Sequence, residues 1–312
     1  MPSSIAPMTG HLDMALTQFA KRFVQNGLIS DVLAPRVPVG RQTDKYWIFG
    51  REDQELTEQQ LRATGAPAQR IRRSLSTDSY FCRSHALAAD IADEDRASYS
   101  DAGDLEQDST QALMAKLLLQ KEDELATMLT DTAQITNNVT LAGANQWSDF
   151  GNSTPGIDVE TAKDQIRLAG VEANTMVVGG AVFRYLKNHP AIKASFQYVQ
   201  RGSLNQADLA AYFGVDQFLI ARGVKVTGGV GGFIWGKHAL LAYASASPSR
   251  EDISAVKSFV WDSAPGTAGG IGVVTGRNAE PTAKADIVGV DFYYQQKITA
   301  VETIYLIKNA VA

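Results

Sequence analysis

The stretch Gly231 to His238, GGFIWGKH, is the sharpest candidate for chemistry in the 312-residue chain. Gly231, Gly236 and Lys237 fit the spacing G-x-x-x-x-G-K, in which backbone amides cradle phosphate and the lysine neutralises it. The eighth position must carry a hydroxyl to hold magnesium, and here it is His238. A phosphate loop must also open into a helix whose amides face the ligand. The residues after His238 are short and strand-like before Pro248, so glycines in a β-rich loop are the better reading. A second glycine run, Gly269 to Gly276, contains G-x-G, but Thr275 stands where the third glycine of a dinucleotide fingerprint belongs.

Metal and nucleophile chemistry fare no better. His11, His85, His189 and His238 are scattered, and Cys82 with His85 makes only a lone C-x-x-H, short of a four-ligand zinc site. Asp93, Glu94 and Asp95 read as a solvated acidic cluster or a helix cap. No G-x-S-x-G elbow is present. We therefore assign no catalytic residue, no cofactor and no metal.

Composition narrows the class further. Hydrophobic residues make up 45% and charged residues 20%, enough to bury a sizeable core. A net charge of -5 argues against adhesion to nucleic acid over the whole surface. One cysteine excludes a disulfide framework and fits a reducing compartment. No apolar run nears the roughly 18 residues of a membrane span, and the N-terminus lacks the pattern of a secretory signal. The expectation is a soluble protein made in the cytoplasm, without membrane contact.

The elements that would frame such a chain follow from periodicity. Leu12, Leu16, Phe19 and Phe23 fall on one helical face, either an amphipathic N-terminal arm or an ordinary core helix. Residues 40–82 are polar and long for a connection inside a compact domain. They read as an extended loop that meets another chain, or as a solvated hairpin, made basic by Arg62, Arg70, Arg72 and Arg73. The segment from Cys82 to Ser100 returns to helical spacing. The strongest helix signal runs over 108–131, with Asp108 as cap and Gln111 as its box partner. Leu113, Met114, Leu117, Leu118, Leu125 and Leu129 form its apolar stripe, with charges opposite. At roughly 24 residues it would be about 35 Å long. A strand is expected over 132–141. Trp147 then sits in a polar loop ahead of a helix begun by Pro155-Gly156 and capped by Asp158, with Val159, Ala162 and Ile166 inward. Strand and helix alternate after that, and Pro190 ends one of the helices. Two β-rich runs close the chain.

In this order the segments resemble the major capsid proteins of tailed bacteriophages, with the Hong Kong 97-type fold. The long polar loop of 40–82 is similar to that family's extended E-loop. The run YFCRSHALAADIADEDRA looks like its approach to the spine helix, as a helix plus an acidic turn. ANQWSDFGNSTPGIDVETAKDQI resembles its Trp–Ser–Pro segment, and EANTMVVGGAVFRYLKNHPAI its next strand and helix.

The resemblance implies an α+β fold divided into an N-terminal arm (1–39), an E-loop (40–82), a peripheral domain (83–170 and 285–312) and an axial domain (171–284). It implies an icosahedral shell of hexamers and pentamers around double-stranded DNA, bound without sequence specificity. Partners would be the chain itself, a separate scaffolding protein, a portal and a decoration protein, with assembly in the host cytoplasm and residence in the virion. Arg62, Arg70, Arg72, Arg73, Phe19 and Phe23 would meet neighbouring copies, while Trp147, Pro155 and Asp158 form a structural joint. Lys45 is the lone lysine between 40 and 83, near the loop's base, so covalent cross-linking is not expected. Two rivals remain: an encapsulin-like compartment shell, and a nucleotide-binding enzyme built on Gly231 to Lys237.

Overall fold

Leu113, Met114, Leu117, Leu118, Leu125 and Leu129 are all buried, on a helix that spans Ala102–Leu129. The structure is a computed structural model that describes residues 11–22, 27–48, 64, 65, 67, 76–98, 102–196, 204–250, 252–278 and 284–312. With 28 residues, this spine helix is about 42 Å long. It starts earlier than the expected 108–131, and Asp108 lies inside it rather than capping it. Gly103 is the one helix-weakening residue between Ala102 and Asp108, and a single glycine costs only about 1 kcal/mol. Arg96 pairs with Glu106 and holds this early stretch against the preceding element.

In chain order the elements begin with β1 (His11–Leu12), α1 (Met14–Arg22), α2 (Ser30–Leu33), β2 (Arg36–Val39), β3 (Thr43–Ile48) and β4 (Ser76–Phe81). Next come β5 (Arg83–Ala92), α3 (Asp93–Ser98), the spine α4, β6 (Asn138–Thr140), α5 (Pro155–Arg167) and β7 (Thr175–Gly179). Then follow α6 (Gly180–Asn188), α7 (Pro190–Ser195), α8 (Gln206–Phe213), β8 (Gln217–Ala221), β9 (Val224–Thr227) and β10 (Val230–Phe233). The chain closes with β11 (Ala239–Ala242), β12 (Val256–Trp261), β13 (Ile271–Arg277), β14 (Ala285–Ile298) and β15 (Ile304–Lys308).

Two main sheets result. A six-stranded sheet runs β1-β13-β14-β12-β2, with β5 also on β14. Its only parallel pair is β2 on β12, where Pro38 is tolerated because β2 is an edge strand. A five-stranded sheet runs β6-β15-β11-β7-β8. The N-terminal half of the spine packs on the first sheet through Leu113, Met114 and Leu117 against Val288, Val290 and Phe292. Its C-terminal half, Leu125 and Leu129, packs with Val177, Leu240 and Leu306 of the second sheet and Val256 of the first. The spine thus joins the two sheets. A separate core behind the second sheet gathers Trp147, Val159, Ile166, Val182, Leu209 and Phe213.

Several expectations are corrected here. Residues 83–92, expected as helix, form the strand β5 paired along its whole length with β14. Alanines on its outward face (Ala86, Ala88) blurred the alternation that Leu87, Ala89 and Ile91 carry inward. Leu12 lies in β1 rather than on the first helix, because Asp13 accepts from Leu16 N at 2.9 Å and starts α1 one residue later. The face of α1 turned to the core is Leu16, Thr17 and Ala20, and Phe19 is half-buried beside it. The strand expected over 132–141 shrinks to β6. Pro190 not only ends α6 but opens α7 at its first turn, where a missing N–H costs nothing. The strand pairing also cuts across the domain limits given above. β12 and β13, within 171–284, join β14 in the six-stranded sheet, and β15, within 285–312, joins the five-stranded one.

Candidate assembly surfaces

The root of the long polar loop is a two-stranded stem, β3 on β4, with Thr43 opposite Phe81 and Ile48 opposite Ser76. Aromatic packing fixes it to the body. Tyr80 stacks on Phe259 at 4.6 Å between ring centres, and Tyr46 lies 5.1 Å from the same ring. Polar ties clamp both sides: Tyr46 OH donates to Asp78 Oδ2 at 2.9 Å, Lys297 Nζ reaches the same oxygen at 2.9 Å, and Arg250 meets Asp44 at 3.0 Å. The Lys297 hydrogen bond is the main reason the Asp78 carboxyl sits below its ordinary range. Cys82 is fully buried at this root, where desolvation pushes its thiol up to about 11. Arg62, Arg70, Arg72, Arg73 and Phe23 lie outside the described residues, so the contacts expected of them are not on view.

The joint around Trp147 is built differently from expectation. Trp147 is fully buried, its indole N–H donates to Asp158 Oδ2 at 2.8 Å, and its backbone N donates to Ala310 O at 2.7 Å. Asp158 is therefore not a cap. Pro155 occupies the first turn of α5 and Thr154 the cap position, which places Asp158 a turn inside with its carboxylate turned back to the loop. The contact ties the loop before α5 to the C-terminal residues.

Sequence reasoning missed the largest polar feature, which lies on the spine. Lys121 and Glu122, read as part of a charged outer face, are both completely buried. Glu122 Oε2 accepts from Ser30 N at 2.7 Å and Ile29 N at 3.1 Å, and its Oε1 accepts from Trp235 Nε1 at 2.6 Å. Burial pushes this carboxyl up, and the three donors only partly offset it. Lys121 Nζ meets Asp31 Oδ1 at 2.6 Å and lies 5.5 Å from the ring centres of both Phe292 and Tyr294. Desolvation lowers the Lys121 ammonium, opposed mainly by Asp31. Burial also works against the Asp31 carboxylate, yet the Arg36 hydrogen bond and the charges of Lys121 and Arg36 win and hold it well below the ordinary range. A sequence signal existed in principle, since positions 121, 122, 125 and 129 share an arc of one helix with the leucines.

The leads toward chemistry resolve into structure. GGFIWGKH contributes β10 and a turn that delivers Trp235 to Glu122, and the strand β11 follows where a phosphate loop needs a helix. Gly236 adopts φ 52, and its carbonyl lies 2.1 Å from where a Cβ on Gly179 would sit, so glycine is required at 179 for this close approach. His238 Nδ1 accepts from Asn309 N at 3.1 Å. The run from Gly269 opens into the strand β13. Asp93 is tied to Arg277, with 2.7 Å between Oδ2 and Nη2. His85 stacks on Tyr294 at 4.2 Å, away from the Cys82 cluster. Among the described residues no group of His, Cys, Asp and Glu is arranged to hold a metal, and no helix is long and apolar enough to cross a membrane.

Two outward-facing features remain. The open face of the six-stranded sheet has a hollow of about 400 Å3 lined by Ala86, Ala88, Val274, Gly289 and Asp291. Burial alone raises the Asp291 carboxyl. The second feature is the β9–β10 ribbon, whose side chains are exposed throughout.

Comparison with known proteins agrees with this architecture. The family described as Phage major capsid protein E matches residues 105–243, from the spine through β11. The major capsid protein of Burkholderia phage BcepMu is 27% identical over 248 residues, covering 74% of this chain and 76% of that protein. The major capsid protein of Pseudomonas phage JBD67 is 27% identical over 191 residues, 59% of each chain. In sequence, this chain is similar to the major capsid proteins of tailed phages. Among solved structures, a phage-related protein from Bordetella bronchiseptica RB50 matches the chain with a TM-score of 0.79 and 27% identity, over 97% of this chain and 98% of its own. The capsid of cyanophage P-SCSP1u (TM-score 0.56, 10% identity, 98% and 93% coverage) shares the fold alone. So does the SrpI encapsulin of Synechococcus elongatus PCC 7942 (0.52, 13%, 95% and 95%). The fold is α+β of the Hong Kong 97 type.

Proposed function

We propose that the chain is a major capsid protein that assembles, as pentamers and hexamers of itself, into the icosahedral shell that encloses the double-stranded DNA of a tailed phage. The observation that carries this reading is the stem β3–β4, a ribbon locked to the body on both sides and joined by residues 49–75. A closed symmetric assembly needs each copy to present complementary surfaces to several neighbours, and a ribbon leaving a rigid body supplies such reach. The net charge of -5 suits a container that must not hold phosphates tightly.

In this reading the six-stranded sheet and spine serve as the peripheral domain and the five-stranded sheet as the axial domain. The chain between 49 and 75 lies on a neighbour, and its arginines meet acidic surface there. A separate scaffolding protein directs assembly in the host cytoplasm, a portal occupies one vertex, and a decoration protein reinforces the mature shell.

Electron microscopy of the purified protein tests the reading directly: closed shells are expected. Nuclease treatment followed by the absorbance ratio at 260 and 280 nm, on particles from an infected host, should show protected DNA. Particles filled with protein and free of nucleic acid would instead favour a compartment shell, and a protein that stays monomeric at every concentration would overturn both.

A further inference from the structure

β9 and β10 leave the body between β8 and β11 as a two-stranded ribbon. Gly228 and Gly229, at φ 59 and φ 81, form the turn, which only glycine-like residues enter easily. Val224 pairs with Phe233 and Val226 with Gly231, so Val224, Val226 and Phe233 share one face. They are 53%, 73% and 54% exposed, and Val230 on the other face is 72% exposed. The other face also carries Lys225, which bonds Asp123 of the spine at 2.5 Å. One face thus turns toward the spine and the apolar face turns away from it.

We propose that this apolar face docks on a second copy of the chain within each ring of the shell. The proposal rests on the assembly reading above and adds the surface through which copies meet. Copies that each carry a net charge of -5 repel on average. Close approach is least opposed where charge is absent. From Val224 to Gly236 the one charged residue is Lys225, and Asp123 already neutralises it. Three exposed apolar side chains make a small face, well short of the roughly 800 Å2 that one partner contributes to a standard stable interface. It is too small to hold an isolated pair, but sufficient as one contact repeated around a closed ring. A lone two-stranded ribbon is also marginal in water, and its glycine-rich strand carries no charge or proline to block a neighbour.

The test is Val226→Asp, made beside wild type and Val226→Ile. Because Val226 is exposed, all three should fold alike by circular dichroism and melting temperature. Val226→Asp should raise the protein concentration needed for assembly at least tenfold or abolish particles, while Val226→Ile assembles normally. Particles of Val226→Asp at the wild-type threshold would overturn the proposal. If wild type forms no particles, the assembly reading fails by itself. The ribbon is then judged by hydrogen exchange of amides 224–233 at low and high protein concentration: protection that grows with concentration upholds a contact between copies, and its absence overturns it.

Discussion

The indole N–H of Trp235 donates to Glu122 Oε1 at 2.6 Å, and both side chains are buried. With the amides of Ile29 and Ser30 on its other oxygen, this carboxylate ties the spine to the N-terminal segment and to the turn after β10. Trp235→Phe keeps most of the ring and removes the donor. The expected loss is about 1–3 kcal/mol, because a buried acceptor loses a partner. Thermal unfolding should move down by several degrees; an unchanged midpoint would show that the hydrogen bond contributes nothing net.

The pair Asp31–Lys121 should respond asymmetrically. Asp31→Ala leaves a buried ammonium with two aromatic faces and the charge of Glu122 but no direct anionic partner, and should cost roughly 1–3 kcal/mol. That is below the range for fully buried pairs, since the Asp31 side chain is 42% exposed. Lys121→Met removes the charge from the core, leaves Asp31 with Arg36, and should be near neutral. Equal losses in denaturant titrations of the two variants would contradict this account.

Acid should weaken the fold first through histidines. Desolvation lowers His85, His189 and His238 below their ordinary value of 6.5. For His85 the nearby Glu124 opposes the shift and Arg83 adds to it, and for His238 the Lys308 charge adds to it. The unfolded chain therefore binds more protons than the folded one just below pH 6.5, and stability falls as pH drops through that point. The depressed Asp31 and Asp252 contribute stability that is lost only lower, below their ordinary value of 3.8. Melting temperature should decline between about pH 6.5 and 5, and His189→Gln should flatten that slope. A flat profile from pH 7 to 5 would refute it.

No covalent link between copies is expected. Cys82 is buried with its thiol pushed up to about 11, so little thiolate forms near neutrality. Lys45 is exposed on the stem, but an isopeptide bond needs an amide or acid partner beside a proton-accepting carboxylate in reacting geometry. Particles boiled in denaturant without reductant should run as one band near 33.6 kDa. A ladder of multiples would disprove the claim.

Residues 49–75 should matter for assembly and not for folding. Deleting 52–75 leaves the stem and should give a soluble, folded protein that assembles poorly. Reversing the charges of Arg70, Arg72 and Arg73 together should raise the assembly threshold, since unlike patches fix the register of association. Each exposed pair is worth only about 0–1 kcal/mol, so the effect accumulates over copies. The hollow holding Asp291 is one acidic seat for them, and Asp291→Asn should shift the threshold the same way. Unchanged thresholds in both would remove the arginines from the interface.

Much of the frame was legible because it is local. The leucines of 113–129 repeat at helical spacing, so the spine announces itself within one segment. The β-rich tail became β14 and β15, and Trp147 lies beside the helix its loop introduces. β5 was misread because a strand half-covered by alanines has no distinct period until β14 pairs with it.

The sequence by itself determined the spine, the alternation of strand and helix after it, and the absence of a recognisable catalytic motif, all consequences of side-chain type and short spacing. Tertiary structure alone decided which charges go inside. Lys121 and Glu122 read as solvated because adjacent opposite charges on a helix usually are. Their partners come from Ile29, Ser30 and Asp31, some 90 positions earlier, and from Trp235, 113 positions later. Only a folded chain can bring those donors and charges to one place and offset the cost of taking the pair out of water.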